Sequence, residues 1–253
     1  MPSIQNGGVS IYYTDEGQGP AVLLTHAYGA SASMWEPQIA ALKDKYRVIS
    51  WDLRGHARSD SPADETQYSE RYCIEDMKAI LDHLGLKQVI LGGLSLGGYL
   101  SLAFRLQYPE CVSALMLFSC GPGYRDPHAR EKWNRFAHRL ADKVQDKGLA
   151  ALGDGSEIRI DEHRNLDGLQ KAARGILAQF DDRVIQSLTQ IDLPTLVLVG
   201  SEDKNYHNSS SYMAKKIPHA QHSHIEQAGH AANLQQPQAF NAALLHFLDQ
   251  QQH

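Results

Sequence analysis

The chain has 253 residues, 42% hydrophobic and 21% charged, with a formal net charge of −5. That length suits one α/β domain that needs no disulfide staples, and the ordinary composition excludes disorder. The mild acidity gives no electrostatic footprint for nucleic acid or an anionic membrane, and no apolar run approaches a bilayer span.

The opening MPSIQNGGVSIYY lacks a basic segment followed by an apolar run, so no signal peptide is expected. Cys73, Cys111 and Cys120 are odd in number and form no CxxC. Reduced thiols in a cytoplasm are the simplest expectation.

Val9 to Tyr13 alternates and predicts an outer, antiparallel strand. Ala21 to Thr25 follows, bounded by Gly19-Pro20 and Gly29. Tyr46 to Trp51, Val89 to Leu91, Ala114 to Phe118 and Thr195 to Val199 are further short apolar runs, several stopped by glycine. Such runs predict strands buried on both faces of a parallel sheet. Helical patterns lie between them, at Tyr72 to Leu84 and Tyr99 to Tyr108. This alternation implies an α/β sheet with right-handed crossovers.

From about Arg125 to Gln190 the pattern is helical throughout. Trp133, Phe136, Leu140 and Val144 form one stripe. Leu169, Ala172, Ala173, Ile176, Leu177 and Phe180 form a second. The expected organisation is therefore a core of residues 1–124 and 191–253, with 125–190 a helical cap inserted before the penultimate strand. A lid over a pocket is the functional reading of that cap, and extra packing on the sheet the competing one.

Gly93-Leu94-Ser95-Leu96-Gly97 fits G-x-S-x-G, directly after one predicted strand and before a predicted helix. A serine on so tight a turn is forced into unfavourable φ/ψ, and small neighbours let the turn close. Its hydroxyl is a weak nucleophile and needs a base oriented by a third group. His230 lies in a loop before a C-terminal helix marked by Phe240, Ala243, Leu244, Phe247 and Leu248. The acid is expected after Leu196 to Gly200, where Glu202 and Asp203 are neighbours.

With these residues placed, the chain resembles the α/β-hydrolase superfamily over nearly its whole length. His26-Ala27-Tyr28-Gly29 matches that family's H-G-x-G segment. Asp52 to Asp60 resembles D-x-R-G-H-G-x-S-D, and Gly200 to Asp203 resembles the G-x-x-D acid loop. Gly229-His230 with Leu234, Pro237 and Phe240 resembles the terminal histidine segment. Met34-Trp35-Glu36-Pro37-Gln38 is similar to the enol-lactonase-like members of the small lidded branch.

The resemblance implies an α/β-hydrolase fold: a mostly parallel central sheet flanked by helices. It implies the order Ser95, Asp203, His230 for the catalytic triad, the backbone N–H groups of Tyr28 and Leu96 as oxyanion hole, and neither metal nor organic cofactor. His26, Arg54 and His56 are expected to brace loops. Ala27 and Ala57 stand where the family pattern has glycine, and alanine at positive φ costs free energy. The glycine-rich G-S-G-P-G loop of the C–C bond hydrolases is missing.

Hydrolysis of a small or medium carboxylic ester or lactone is the leading expectation, with a small molecule as partner and neither nucleic acid nor membrane. C–C bond hydrolysis and cofactor-free perhydrolysis remain open on the same triad, as does a small-molecule sensor that keeps the fold. Trp35, Phe136, Ile176, Phe180 and Tyr206 are candidates to line an acyl pocket, with plain core as the alternative. Cys120 ends the strand before the insert and is a candidate to face the same cavity; as a nucleophile it has no readable helix start or paired base, and a buried small hydrophobe is the favoured reading. His219, His222 and His224 form H-x-x-H-x-H, but no carboxylate or thiol completes a metal set, and partly solvated histidines are expected.

Overall fold

A computed structural model describes residues 2–251 apart from 154 and 159. Its strands are β1 (Ser3–Asn6), β2 (Val9–Glu16), β3 (Ala21–Thr25), β4 (Arg47–Trp51), β5 (Val89–Leu94), β6 (Val112–Phe118), β7 (Thr195–Gly200) and β8 (Ala220–Ile225). They form one sheet in the order β1-β2-β4-β3-β5-β6-β7-β8. β2 runs antiparallel to both its neighbours, β1 and β4, and the remaining pairs are parallel. The fold is the α/β-hydrolase arrangement that the sequence implies.

Val9 to Tyr13 belongs to β2, which lies inside β1 rather than at the edge. Ser3–Asn6 carries one apolar residue, so its local signal was weak. Pairing with β2 supplies what its side chains lack.

Neighbouring residues on the central strands face opposite sides of the sheet, and two apolar clusters result. Leu23, Leu115, Leu117 and Val197 enter one cluster. Val22, Leu24, Ala114, Met116, Phe118, Leu196 and Leu198 enter the other. Both faces are covered, which explains why these strands read as unbroken apolar runs.

The helices are α1 (Glu36–Leu42), α2 (Glu70–His83), α3 (Leu96–Gln107), α4 (Pro127–Lys147), α5 (Leu166–Ala172), α6 (Arg183–Ser187), α7 (His207–Lys216), α8 (Ala232–Gln235) and α9 (Pro237–Asp249). α2 and α3 supply Ile74, Met77, Leu100 and Phe104 to the first face. α1 and α9 supply Ile39, Leu42, Phe240 and Phe247 to the second. Each such residue, fully buried, contributes roughly 1.5–3 kcal/mol relative to exposure.

Between β6 and β7 every regular element among the described residues is helical. α5 runs into a π-helical turn over Ala173–Leu177, and Ala178 then turns extended at φ −66° and ψ 151°. A π turn advances fewer degrees per residue than an α turn, so the stripe begun at Leu169 loses its register there. Leu169, Ala172 and Ile176 are buried, whereas Phe180 lies beyond the break and is 69% exposed.

Candidate active site

β5 delivers Ser95 to the carboxyl edge of the sheet. Ser95 has φ 56° and ψ −114°, a strained conformation for a residue with a side chain. Two hydrogen bonds pin the turn: Ser95 N–H donates to the Phe118 carbonyl at 2.9 Å, and Tyr99 N–H donates to the Ser95 carbonyl at 3.1 Å.

The flanking glycines are needed for close approach. A Cβ on Gly97 would run into the Thr25 carbonyl, and one on Gly93 into the backbone of Gly97. α3 therefore starts hard against the end of β3, beside the His26-Ala27-Tyr28-Gly29 loop. Tyr28 N–H and Leu96 N–H have no protein acceptor among the described residues. Leu96 is the first residue of α3, where the helix dipole adds to the attraction for negative charge.

β7 and the turn after it carry Asp203, whose carboxylate is 4% exposed. Asp203 Oδ2 lies 2.9 Å from His230 Nδ1, so Nδ1–H donates to the carboxylate and Nε2 is left free. Of the two acids that sequence left adjacent, Glu202 is exposed to solvent and Asp203 faces the imidazole.

Tyr206 joins this pair. Its ring stacks on His230 with centroids 4.8 Å apart and planes inclined by 29°. Its hydroxyl lies 3.4 Å from Ser95 Oγ, whose one hydrogen-bond partner among the described residues it is. Burial, the largest influence, pushes the Tyr206 phenol up to about 12, so it stays a protonated donor at neutral pH.

Ser95 forms the floor of a cavity of about 550 Å³. Leu96 and Tyr99 from α3 continue the floor, and the chain after β6 forms one wall through Gly121 to Tyr124. Trp133 and Phe136 from α4, with Leu177 and Gln179, close it from the helical insert. Asn205, Tyr206, Asn208 and Ser209 form the remaining side.

Phe136, Tyr206, Leu96 and Ser95 thus stand at the cavity, and four other pocket candidates do not. Trp35 precedes α1 on the opposite face of the sheet, fully buried with Phe118 and Phe240. Ile176 points into the core beneath the insert. Phe180 is turned out to solvent by the break after the π turn. Cys120 sits under α3: a Cβ on Gly98 would lie 2.6 Å from its Sγ, and burial raises its thiol far above the usual range. A thiol so held is packing rather than a nucleophile.

The sequence placed Trp133 and Leu177 on the apolar stripes of the cap but not among the pocket residues, and it did not single out Tyr124, Gln179 or the residues of α7. Tyr124 had a positional signal, since ligands of such sheets bind beyond the carboxyl ends of the strands. Gln179 had none: it is a lone amide in a segment of apolar residues.

A layer of buried polar groups holds the His26-Ala27-Tyr28-Gly29 loop. Asp52 accepts from Ala32 N–H at 2.6 Å and from Arg58 Nε at 2.8 Å. His26 Nε2 accepts from Leu53 N–H at 2.9 Å, so its proton sits on Nδ1 and goes to the Ala27 carbonyl. Burial is the main cause that pushes His26 down to about 4. His56, also fully buried, lies well below the usual imidazole range.

His163, from the insert, accepts from Ala57 N–H at 3.1 Å through Nδ1. Its Nε2 lies 2.8 Å from the Gly29 carbonyl. The insert thereby touches both loops in which alanine replaces glycine. Ala57 is at φ 40°, a true positive-φ position, whereas Ala27 is not. Behind them Arg54 and Asp76 form a buried ion pair at 2.7 Å.

His219 pairs with Asp192 at 2.9 Å, away from His222 and His224, whose rings are 4.7 Å apart. No group of three His, Cys, Asp or Glu among the described residues is placed to hold a metal ion. No helix of the described residues is long and apolar enough to cross a membrane.

The family model described as "alpha/beta hydrolase fold" matches residues 20–154. A putative 2-succinyl-6-hydroxy-2,4-cyclohexadiene-1-carboxylate synthase of Bacillus subtilis is 29% identical, over 95% of this chain and 95% of its own. The 3-oxoadipate enol-lactonase 2 of Acinetobacter baylyi is 29% identical, over 93% of this chain and 92% of its own. Among solved structures, a thermophilic esterase from Thermogutta terrifontis superposes with a TM-score of 0.81 at 28% identity, over 98% of this chain and 97% of that one. From the strained serine turn to the sheet order and the matched family model, the chain belongs to the alpha/beta hydrolase family.

Proposed function

We propose that the protein is a serine hydrolase that cleaves a small or medium carboxylic ester or lactone through Ser95, His230 and Asp203. Hydrolysis of ester bonds is supported by the relatives whose names carry esterase and lactonase activity. The observation that carries the mechanism is Ser95, held in a strained strand-to-helix turn at the floor of the cavity.

Ser95 Oγ turns from the Tyr206 hydroxyl toward His230 Nε2, gives up its proton there and attacks the acyl carbon. Asp203 fixes the ring with Nδ1 protonated and stabilises the imidazolium that forms. The tetrahedral oxyanion is met by the N–H groups of Leu96 and Tyr28; losing one such donor costs on the order of 10²–10³ in rate. His230 then protonates the leaving alkoxide, leaving an acyl-Ser95. A water enters, gives its proton to His230 and attacks the same carbon. Collapse releases the carboxylic acid and restores Ser95.

The helical insert acts as a lid in this reading. Trp133, Phe136, Leu177 and Gln179 cover the cavity and select the substrate.

Short p-nitrophenyl esters and lactones test the proposal together with a fluorophosphonate probe. Wild type turns over at least one class and carries the probe on Ser95, while Ser95→Ala does neither. A wild-type enzyme that is folded yet unlabelled at Ser95 would sink the assignment.

A further inference from the structure

Among the described residues, the lining of the cavity above Ser95 includes no Asp, Glu, Lys, Arg or His. Its apolar surface comes from Leu96, Trp133, Phe136 and Leu177, and its polar surface from amides, hydroxyls and backbone. On the insert, Arg130 donates its Nη1 to the Tyr124 carbonyl at 3.0 Å and is not part of the lining. A negative charge also lies behind the lining. Tyr99 donates its hydroxyl to Glu70 at 2.6 Å, and Glu70 in turn faces Arg183 at 3.4 Å. A carboxylate carried into this space by a substrate meets no counter-charge among the described residues.

One group in the wall lacks a partner. Gln179 is 8% exposed, and its Oε1 is buried without a hydrogen bond among the described residues. The side chain is aimed by its backbone: Gln179 N–H donates to Asn134 Oδ1 at 2.8 Å, and Asn134 Nδ2 donates back to the Gln179 carbonyl at 2.7 Å. Oε1 lies beside Gly123 in the cavity wall, where a built Cβ would be 3.0 Å from it. A buried acceptor left unpaired is costly. The group that relieves it is an N–H or O–H brought in by a ligand.

Resting on the serine-hydrolase reading above, we infer that the cavity takes an uncharged ester, and that Gln179 is a specificity residue that accepts a hydrogen bond from an amide or hydroxyl of that substrate. The site discriminates in two ways. An acyl chain ending in a carboxylate is rejected because its charge would be buried unpaired. A chain carrying an N–H is tolerated because Gln179 compensates the loss of water.

Three p-nitrophenyl esters of equal chain length test this: the heptanoate, the N-acetyl-γ-aminobutyrate and the monoester of pimelate. Fluorophosphonate labelling of Ser95 is followed in parallel. Wild type is expected to process the first two with kcat/KM within about threefold of each other, and the pimelate monoester about 100-fold more slowly. In Gln179→Leu the amide ester is expected to fall about tenfold relative to the heptanoate. Gln179→Arg is expected to recover the pimelate monoester by at least about tenfold.

Equal use of the pimelate monoester and the heptanoate overturns the charge argument. An unchanged amide-to-heptanoate ratio in Gln179→Leu overturns the role of Gln179. If Ser95 is labelled but none of the three is cleaved, the inference fails and the serine-hydrolase reading survives. If Ser95 is not labelled and none is cleaved, that reading itself fails.

Discussion

The ring of Tyr206 lies stacked on the imidazole of His230, 4.8 Å between centroids, with its hydroxyl 3.4 Å from Ser95 Oγ. The two contacts differ in weight. A hydroxyl contact of 3.4 Å is beyond the usual O–H···O range. The stacked ring shields and orients the base, and such pairs contribute about 0.5–1.5 kcal/mol. Tyr206→Phe is therefore expected to keep kcat/KM within about threefold, and Tyr206→Ala to lose about tenfold. Steady-state kinetics on one neutral ester decides it: equal losses in both variants would put the weight on the hydroxyl.

Strain at Ser95 makes a stability prediction opposite in sign to the activity one. A non-glycine residue at φ 56° and ψ −114° costs of order 1–3 kcal/mol. Ser95→Gly removes both the proposed nucleophile and the strain. Turnover should vanish, while unfolding free energy rises by about 1 kcal/mol and Tm by roughly 2–4 °C. Calorimetry of the variant beside wild type is the check, and a lower Tm contradicts the strain argument.

Ala57 offers an independent test of the same physics away from the nucleophile. It sits at φ 40° and donates its N–H to His163 Nδ1. Ala57→Gly keeps that bond and relieves the backbone, so urea unfolding should show a gain of about 0.5–1 kcal/mol. His163→Ala removes the contacts of the insert with both the Gly29 carbonyl and Ala57. Because Gly29 adjoins the proposed oxyanion donor at Tyr28, kcat is expected to fall about tenfold while Ser95 remains labelled by fluorophosphonate. An unchanged kcat would separate the insert from the oxyanion loop.

Acid stability follows from the buried histidines. His26 is held down to about 4 by burial, whereas the unfolded chain titrates near 6.5. Between those values the unfolded state binds more protons, so stability rises with pH. It is complete above about 6.5 and is lost progressively as pH falls toward 4, by about 3 kcal/mol from this group alone. Tm measured from pH 7 to pH 4.5 should fall steeply in wild type and less steeply in His26→Gln. Parallel slopes in the two proteins would exclude His26 as the source.

Much of this was legible locally. Ser95 and its glycines were readable because the constraint is steric and spans five residues: Gly93 and Gly97 have no room for a Cβ. The central strands were readable because burial on both faces demands unbroken apolar runs. β1 was not, since its pairing rather than its side chains makes it a strand. Trp35 reads as a pocket residue in a list of aromatics, but the face on which α1 packs sends it into the core with Phe240. Phe180 continues a helical stripe on paper and leaves it in space, because the π turn at Ala173–Leu177 shifts the register.

By itself the sequence marked the family through its motifs and the strand-to-helix serine turn, because that turn depends on short-range backbone geometry. Tertiary structure alone brought Asp203 rather than Glu202 to His230, laid Tyr206 across both His230 and Ser95, and walled the cavity with uncharged groups around Gln179. The Asp203–His230 and Ser95–Tyr206 contacts join residues 27 and 111 positions apart. The folding of the sheet and insert sets such distances, and no local pattern of residues encodes them.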